Sequence, residues 1–412
     1  MFCRKGFASL IYLQYICPEL PTRLYMLSKK ITDRLSDFRT PFYLYDMGLL
    51  ERTLQSVVSE AAKYGFHIHY AIKANFDDRL LALIRKHGLG IDCVSGNEVR
   101  KAVESGFDPQ TVVYAGVGKS DDEIRYSIQQ NILAFNCESR QELQVIDSIA
   151  RSMGRVVDVA LRINPDVDPH THKYIATGHG DSKFGVSYKE IDEVCAELHE
   201  YRNIRIVGLH FHVGSQILDM HVFENLCHRV NDIRRWFESR GFELEHLNMG
   251  GGLGINYDDP DATPIPDFAT YFALFARELE HGGKRVHFEL GRSIVGQCGE
   301  LISRVLYNKT TPSGRHVAII DASMTELLRP ALYGARHRII NLTPHADGQQ
   351  IPYMVAGTVC ESSDIFARDA VLPELRRGDL VAIESAGAYG MSMASCYNLH
   401  NLPTAVYSDE IQ

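Results

Sequence analysis

The sequence lacks the features that mark several large classes of protein. Lysine and arginine total 43 against 52 aspartate and glutamate residues, and the formal net charge of −9 argues against a nucleic-acid-binding surface. The nine cysteines are scattered, odd in number and free of any C-x-x-C pair, so we expect reduced thiols in the cytoplasm rather than a disulfide framework. No apolar run approaches the roughly 20 residues of a membrane-spanning helix. We therefore expect neither nucleic acid nor membrane as a partner.

The first 25 residues differ from the rest of the chain. Two basic residues precede the apolar stretch 7–13, an order that is similar to a signal peptide. That stretch is short, is broken by Gln14 and lacks a convincing small-residue cleavage site. We interpret residues 1–25 as a disordered N-terminal extension, with Met26 as the functional start. A true export signal is the alternative.

From residue 47 onward, short apolar runs alternate with amphipathic, charged segments. Four of these segments begin with S-x-x-E, the capping-box pattern in which a serine and a glutamate satisfy free amides at a helix start. The pairs are Ser95–Glu98, Ser120–Glu123, Ser139–Glu142 and Ser187–Glu190. Eight runs are typical of strands: 67–73, 89–95, 111–117, 132–137, 156–164, 204–213, 244–250 and 285–291.

Eight strand–helix units predict an α/β fold, a (β/α)8 TIM-type barrel over residues 47–294. An open doubly wound sheet would favour a glycine fingerprint after the first strand, but the glycine cluster 250–254 follows the seventh. Residues 26–46 are expected to add a strand to a second domain. That domain, 295–412, is predicted to be mostly β, with strand-like runs at 299–307, 315–321, 351–359 and 378–385.

Lys73 stands at the end of the first strand-like run, directly before a predicted turn. In barrels of this type, functional groups collect at the carboxyl ends of the strands. A lysine desolvated there has a depressed pKa and can act as a neutral nucleophile toward a carbonyl. The position predicts a catalytic amine, whereas an ordinary surface lysine is the alternative.

The loops after the seventh and eighth strands carry Gly250 to Gly252 and Arg292, where such barrels commonly hold a phosphate. Glycine amides can approach phosphate oxygens closely, although a tight turn alone would also explain the three glycines. An amine nucleophile beside a phosphate site indicates pyridoxal 5′-phosphate as cofactor. Glu289 is then expected to pair with the pyridine nitrogen and His212 to stack on the ring, unless His212 is a core histidine.

Several motifs together resemble the fold type III, alanine-racemase-like family of pyridoxal-phosphate decarboxylases, and within it the diaminopimelate decarboxylases. The resemblance extends from about residue 40 to residue 398. The motifs are 70–75 (YAIKAN), 208–217 (GLHFHVGSQI), the glycine cluster, 289–292 (ELGR), 328–334 (LRPALYG), 360–364 (CESSD) and 387–392 (GAYGMS).

The resemblance implies decarboxylation of meso-2,6-diaminopimelate to L-lysine, the last step of lysine biosynthesis, in a cytoplasmic homodimer with shared active sites. Cys360 would reach across the subunit boundary and protonate the product. The catalytic residues implied are Lys73, His212 and Cys360. The cofactor-binding residues implied are Lys73, Asp92, His212, Ser215, Gly250, Gly251, Gly252, Glu289, Leu290, Gly291, Arg292 and Tyr389. The substrate-binding residues implied are Arg292, Arg329, Tyr333, Glu361 and Tyr389.

Three single positions and the segment 398–401 depart from the family pattern. Leu290 replaces a proline, and Ser323 and Ser363 replace glycines. The two serines would alter loop geometry if those glycines take a positive φ.

Four other functions stay open. A decarboxylase of another amino acid or of carboxynorspermidine is the closest, but lysine or ornithine as substrate would leave Arg329 without a carboxylate partner. A metal-dependent barrel hydrolase could use the H-x-H pairs at 67–69 and 210–212, although we expect no metal. A racemase would need a second acid–base group, and a binding protein without activity would not need Lys73 and Cys360.

Overall fold

The computed structural model describes residues 34–167, 183–343, 345 and 348–411. The extension predicted over residues 1–25 lies outside the described residues. None of the described helices is both long and apolar enough to span a lipid bilayer.

The described chain alternates strands and helices up to residue 295 and is rich in strands after it. The strands are β1 (Phe42–Tyr45), β2 (His67–Ala71), β3 (Gly90–Cys93), β4 (Val112–Tyr114), β5 (Ala134–Cys137), β6 (Val157–Asn164), β7 (Val186–Ser187), β8 (Ile204–His210), β9 (His246–Asn248), β10 (Arg285–Leu290), β11 (Gly299–Thr310), β12 (His316–Ile320), β13 (Ile339–Asn341), β14 (Gln350–Ala356), β15 (Ile365–Pro373), β16 (Leu380–Ile383) and β17 (Thr404–Tyr407). The α-helices are α1 (Met47–Ala62), α2 (Asp78–Lys86), α3 (Gly96–Glu104), α4 (Asp121–Gln130), α5 (Arg140–Ser152), α6 (Ile191–Glu197), α7 (Met220–Ser239), α8 (Phe268–Glu278), α9 (Arg292–Val295) and α10 (Arg329–Tyr333).

Eight parallel strands close into a barrel, which confirms the predicted fold. Strands β2 to β6 and β8 to β10 pair in sequence order, and β10 pairs back with β2 to complete the circle. The short strand β7 pairs with β6 beside this circle. Every residue of β3, β4 and β5 is buried because helices cover the outer face and side chains fill the interior. The strands match the predicted runs but are shorter. Six of them end before the predicted run does, and the last predicted residues form loops at the barrel mouth, whereas β5 and β6 are shorter only at their start.

Only one of the four predicted capping boxes has both halves. Ser120 accepts from the Glu123 amide and the Glu123 carboxylate accepts from the Ser120 amide. At the starts of α3 and α5 the serine caps the helix, but the glutamate reaches one residue further back along the chain. Ser187 instead caps a short 3₁₀ turn through the amide of Lys189, so the fourth prediction was wrong.

The second sheet is built around the long strand β11, and it confirms the mostly-β C-terminal region. β11 pairs with β1, β12 and β16, and β12 continues to β14 and β15. Strand β1 also pairs in parallel with β17, so the strand before the barrel and the last strand lie side by side. The sequence patterns missed β13, β15 and β17. The C-terminal region contacts the barrel loop after β2, where Asn75 Nδ2 donates to the carbonyl of Gly387 at 2.9 Å.

Candidate active site

A cavity of about 190 Å³ opens at the carboxyl end of the barrel, with walls from both the barrel and the C-terminal region. Ten predicted site residues line it: Lys73, His212, Ser215, Gly252, Glu289, Gly291, Arg292, Arg329, Tyr333 and Tyr389. The wall also contains Ala71, Leu253, Ser293 and Met393, which the sequence did not indicate. Four predicted residues lie behind the wall: Asp92, Gly250, Gly251 and Leu290. Leu290 belongs to the hydrophobic core.

Lys73 presents the only amine in this wall, from a 3₁₀ turn that follows β2 rather than from the strand itself. Its Nζ lies 3.2 Å from Oδ2 of Asp92, whose carboxyl is buried on β3. Burial is the largest influence on the pKa of Lys73 and lowers it, but the nearby acidic groups, Asp92 first among them, together raise it by more, and the net direction is upward. The prediction of a depressed pKa for Lys73 was therefore wrong for the protein without cofactor. Sequence spacing did not indicate that the Asp92 carboxyl lies beside the amine.

Glu289 is held in the cavity floor by three polar side chains from three other strands of the barrel, β5, β8 and β9. Oε1 accepts from Nδ2 of Asn136 at 3.1 Å and from Nδ2 of Asn248 at 2.7 Å. His210 Nε2 lies 3.0 Å from Oε2. Burial alone would raise the pKa of Glu289, but the contact with His210 and the charge of Lys73 lower it well below its ordinary value. The site therefore keeps a buried carboxylate ionised.

His212 has one ring nitrogen fixed by the glycine cluster. Its Nδ1 lies 3.1 Å from the amide nitrogen of Gly251, which can only donate, so Nδ1 accepts and the neutral ring carries its proton on Nε2. Burial lowers the pKa of His212 strongly, and the positive charges of Arg162 and Lys73 add to this effect. A neutral, half-buried imidazole in the wall can pack against a flat ring.

The glycine cluster offers fewer free backbone amides to an anion than its sequence indicates. The Gly250 amide donates to Asn248 Oδ1 at 2.9 Å, and the Gly251 amide is taken by His212. A Cβ on Gly251 would come within 2.0 Å of the Glu289 carbonyl oxygen, so this position requires glycine for backbone packing. Of the three glycines, Gly252 lines the cavity.

Arg292 begins α9 directly after β10 and is buried in the same wall. Its Nε and Nη2 donate to Ser215 Oγ at 3.3 and 2.9 Å, and its Nη1 donates to Tyr257 Oη at 2.6 Å. The ring of Tyr389 lies 4.9 Å from the guanidinium carbon. Tyr389 has a φ of 58°, which is an unfavourable backbone conformation. The Tyr389 amide donates a hydrogen bond to the Ala74 carbonyl, which helps to hold this conformation.

Arg329 is a second guanidinium at this site and is only 5% exposed. Its Nη1 donates to Tyr257 Oη and to His337 Nε2, both at 2.9 Å. Burial lowers the pKa of Arg329, and the charge of Arg292 adds to the effect. Within the described chain neither arginine forms an ion pair with a carboxylate, so the two together make a positive wall that favours an anionic ligand.

Cys360 and Glu361 lie outside this cavity and are exposed on the C-terminal region. The Cys360 amide donates to Asn398 Oδ1 at 2.9 Å, and Glu361 Oε1 accepts from Tyr397 Oη at 2.8 Å. One chain therefore does not bring its own Cys360 to the wall that contains Lys73.

The substitutions at Ser323 and Ser363 do not require unusual backbone. Neither residue has a positive φ. Ser323 is fully buried, and its Oγ accepts from the Thr358 amide at 2.8 Å. The Ser323 side chain is thus accommodated in its loop, where it forms a hydrogen bond with the backbone.

The H-x-H pairs do not assemble a metal site. The pair at 67–69 lies at the amino ends of the strands, away from Lys73. In the pair at 210–212, His210 contacts the Glu289 carboxylate and His212 accepts from the Gly251 amide. Within the described chain the one group with suitable ligand spacing lies on α7 and α8: Glu224, His228 and Glu278.

Three buried histidines instead form a hydrogen-bonded chain at the amino end of the barrel. The Thr111 carbonyl must accept from His69 Nδ1 at 3.0 Å, which leaves His69 Nε2 to accept from His287 Nδ1 at 2.9 Å. His287 Nε2 then accepts from His246 Nδ1 at 2.8 Å. This pattern of hydrogen bonds requires that all three imidazole rings are neutral. Burial favours the neutral form, since it lowers the pKa of His69 and of His246 to about 4.

We expect the three hydrogen-bonded histidines to make the stability of the fold sensitive to acid. Unfolded histidines take up protons near pH 6.5, whereas His69 and His246 stay neutral in the fold down to about pH 4. Their contribution to the free energy of unfolding is complete above about pH 6.5 and is lost as the pH falls toward 4. Urea unfolding at about pH 7 and about pH 5 should show a larger loss in the wild type than in His69→Gln, and equal losses would contradict this assignment.

Sequence patterns did not assign roles to the residues that hold the others in place. Asn136 lies near the end of β5 and His210 ends β8, where functional residues of a barrel lie, but no local pattern associated either with Glu289. Tyr257 and His337 lie in separate loops far apart in sequence, and no local pattern connects them with Arg329.

Comparison with known proteins agrees with this geometry. The profile of the family described as pyridoxal-dependent decarboxylase, pyridoxal binding domain, matches residues 48–296. Diaminopimelate decarboxylase of Bacteroides thetaiotaomicron is 48% identical over 92% of this chain and 98% of its own. The crystal structure of diaminopimelate decarboxylase from Helicobacter pylori complexed with L-lysine is 38% identical, with a TM-score of 0.85 over 91% of this chain and 93% of its own. The corresponding structure from M. jannaschii, also with L-lysine, is 32% identical, with a TM-score of 0.83 over 92% of this chain and 89% of its own. With barrel, cavity and motifs in agreement, this chain belongs to the diaminopimelate decarboxylase family of pyridoxal-dependent decarboxylases.

Proposed function

We propose that this chain catalyses the pyridoxal-phosphate-dependent decarboxylation of meso-2,6-diaminopimelate to L-lysine. The observation that carries the proposal is the pairing of an amine, Lys73, with a buried guanidinium, Arg329, in one cavity where Arg329 has no carboxylate partner within the described chain. A substrate with an amino acid group at each end supplies that carboxylate. The similarity to diaminopimelate decarboxylases supports the same assignment.

The residues of the cavity fit pyridoxal 5′-phosphate. Lys73 supplies the amine for its aldehyde, Glu289 an ionised carboxylate for its pyridine nitrogen, and His212 a neutral ring for its face. Gly252 and the Ser215–Arg292 pair would hold the phosphate. When bound, this cofactor withdraws the electrons that the departing carboxylate leaves behind.

The protein's own part is to keep the charges in place. Asn136, Asn248 and His210 hold the ionised Glu289 carboxylate in place, so it would meet the pyridine nitrogen of a bound cofactor without rearrangement. Asp92 holds the Lys73 ammonium beside the cavity, where the amine would meet the aldehyde of the cofactor.

The distal end of the substrate determines specificity. Arg329 and Tyr333 would bind the distal carboxylate. Decarboxylation removes only the carboxylate at the reacting carbon, so the product L-lysine keeps the distal one. Lysine or ornithine bound as substrate through the α-amino group offers nothing to Arg329, and an unpaired buried guanidinium opposes their binding.

A second copy of the chain would complete the site. Cys360 and Glu361 are exposed and outside the cavity of their own chain, which supports a homodimer in which each chain lends both residues to its partner. The thiol proton of Cys360 would replace the lost carboxylate, and Glu361 would bind the distal ammonium. The seven cysteines among the described residues are free thiols, which supports the proposal that the protein functions in the reducing cytoplasm.

Arg329→Ala tests the substrate assignment. The variant should raise KM for meso-diaminopimelate by an amount equivalent to about 2–4 kcal/mol, since a charge-assisted pair with the distal carboxylate is lost. Steady-state rates of carbon dioxide release from meso-diaminopimelate, L-lysine and L-ornithine measure the effect, and discrimination among the three should narrow. If all three substrates are affected equally, Arg329 is structural and another amino acid becomes the better substrate.

A further inference from the structure

The guanidinium of Arg329 has one of its edges already occupied by protein. Both N–H groups of Nη1 are used, one by Tyr257 Oη and one by His337 Nε2, each at 2.9 Å. No described protein group accepts from Nε or Nη2. Those two nitrogens carry the parallel N–H groups that bind a carboxylate bidentately. The contacts of Nη1 therefore decide where the free edge points.

His337 can only accept at the nitrogen that meets Arg329. Its Nδ1 lies 2.8 Å from the carbonyl oxygen of Glu384, so Nδ1 carries the proton and Nε2 offers a lone pair. Burial lowers the pKa of His337 to about 3, and the charge of Arg329 adds to this effect, so the ring is neutral at ordinary pH. The next residue fixes the segment further, because the Glu384 amide donates to the Arg338 carbonyl at 2.9 Å.

Tyr257 ties the two arginines of the site to one atom. Its hydroxyl oxygen accepts from Arg292 Nη1 at 2.6 Å and from Arg329 Nη1 at 2.9 Å. Its ring packs edge-on against the His337 ring, with centroids 4.9 Å apart. The position of Arg329 is thus fixed relative to Arg292, which in turn donates to Ser215.

We propose that His337, with Tyr257, is a positioning residue that aims the Nε–Nη2 edge of Arg329 and thereby makes the site select ligands with a distal carboxylate. The inference rests on the proposed function, since it names residues that set the specificity of that same site. His337 itself touches no ligand in this account. Its effect should therefore appear as a loss of discrimination and not as a uniform loss of binding.

Two ligands isolate the distal carboxylate. L-Lysine, the proposed product, carries it, and 1,5-diaminopentane is the same molecule without it. In protein loaded with pyridoxal phosphate, the dissociation constant of each can be measured from the change in the visible absorption band, without turnover. The ratio of the two constants reports what Arg329 contributes. The variants are His337→Phe, which removes the acceptor, and His337→Gln, which retains an acceptor on a longer side chain.

For His337→Phe we expect the dissociation constant of L-lysine to rise by about tenfold to a hundredfold, the effect of one lost charge-assisted hydrogen bond, while that of 1,5-diaminopentane stays within about twofold. His337→Gln should recover part of the loss, and Tyr257→Phe should reproduce it. His87→Phe, which replaces a histidine near His67 and His69 at the amino end of the barrel, should change neither constant.

Equal changes for both ligands, or no change in either, would overturn the role of His337. If His337→Phe fails to fold, the comparison of His337→Gln and Tyr257→Phe with the wild type gives the same decision. Failure of the proposed function is a separate result. It would appear in the wild type as no carbon dioxide from meso-diaminopimelate, whatever the variants do.

Discussion

Lys73→Ala should lose the visible absorption band of the bound cofactor and reduce turnover by a factor on the order of 10³ to 10⁶, as removal of a covalent catalytic group does in other enzymes. Lys73 provides the only amine in the wall of the cavity. No other described side chain there can replace its covalent link to the aldehyde.

The variant should remain folded. The Lys73 side chain is 38% exposed, and its acidic partner can take up a proton when the ammonium is removed. Burial already raises the pKa of Asp92 to about 7. Thermal unfolding should therefore occur within a few degrees of the wild type.

Lys101→Ala is the matched control, because Lys101 forms a surface ion pair with Asp78 and is far from the cavity. It should keep both the absorption band and the activity. A Lys73→Ala protein that stays yellow and active would remove the cofactor assignment altogether.

Inactive Lys73→Ala and Cys360→Ala chains should restore activity when they share a dimer. In a mixed dimer, one site contains both substitutions and the other contains neither, provided that Cys360 serves the partner's cavity. Random mixing of equal amounts makes about half of the dimers mixed, so activity should recover to roughly a quarter of the wild type. The exposure of Cys360 outside its own cavity is the structural reason for this expectation.

Co-expression, or unfolding and refolding the two chains together, allows the exchange, and a mass tag on one chain confirms it. Cys396→Ala is the control for cysteine replacement, because Cys396 is also exposed and unpaired. Paired with Lys73→Ala, it should give about half of the wild-type sites after mixing. Recovery near zero in confirmed Lys73→Ala and Cys360→Ala mixtures would mean that Cys360 serves its own chain or is not catalytic.

The barrel could be predicted because its causes are local in the sequence. Each strand is a short apolar run, and each following helix carries a polar start and an apolar stripe, so the alternation of eight units is visible without long-range information. The second sheet was predicted only in part. Strand β17 forms only because β1, more than 350 residues earlier, lies beside it. In β15 the charged pair Arg368 and Asp369 interrupts the apolar run, so the strand lacks the pattern that identifies a buried strand.

The site could be predicted as far as its motifs extend and no further. Strand ends identified Lys73 and Glu289, but their charge states depend on neighbours from other strands. Asp92 raises the pKa of Lys73, the opposite of the expected direction. The glycine cluster was identified, yet two of its amides are used by Asn248 and His212, a detail that depends on side-chain direction rather than on spacing.

The most direct test of the central claim is to supply the purified, cofactor-loaded protein with meso-diaminopimelate and to measure carbon dioxide and L-lysine together. We predict one molecule of each for every molecule of substrate consumed, with kcat/KM for L-lysine and L-ornithine lower by a factor on the order of 10⁴. Absence of carbon dioxide from meso-diaminopimelate, or equal rates with L-ornithine, would contradict the account.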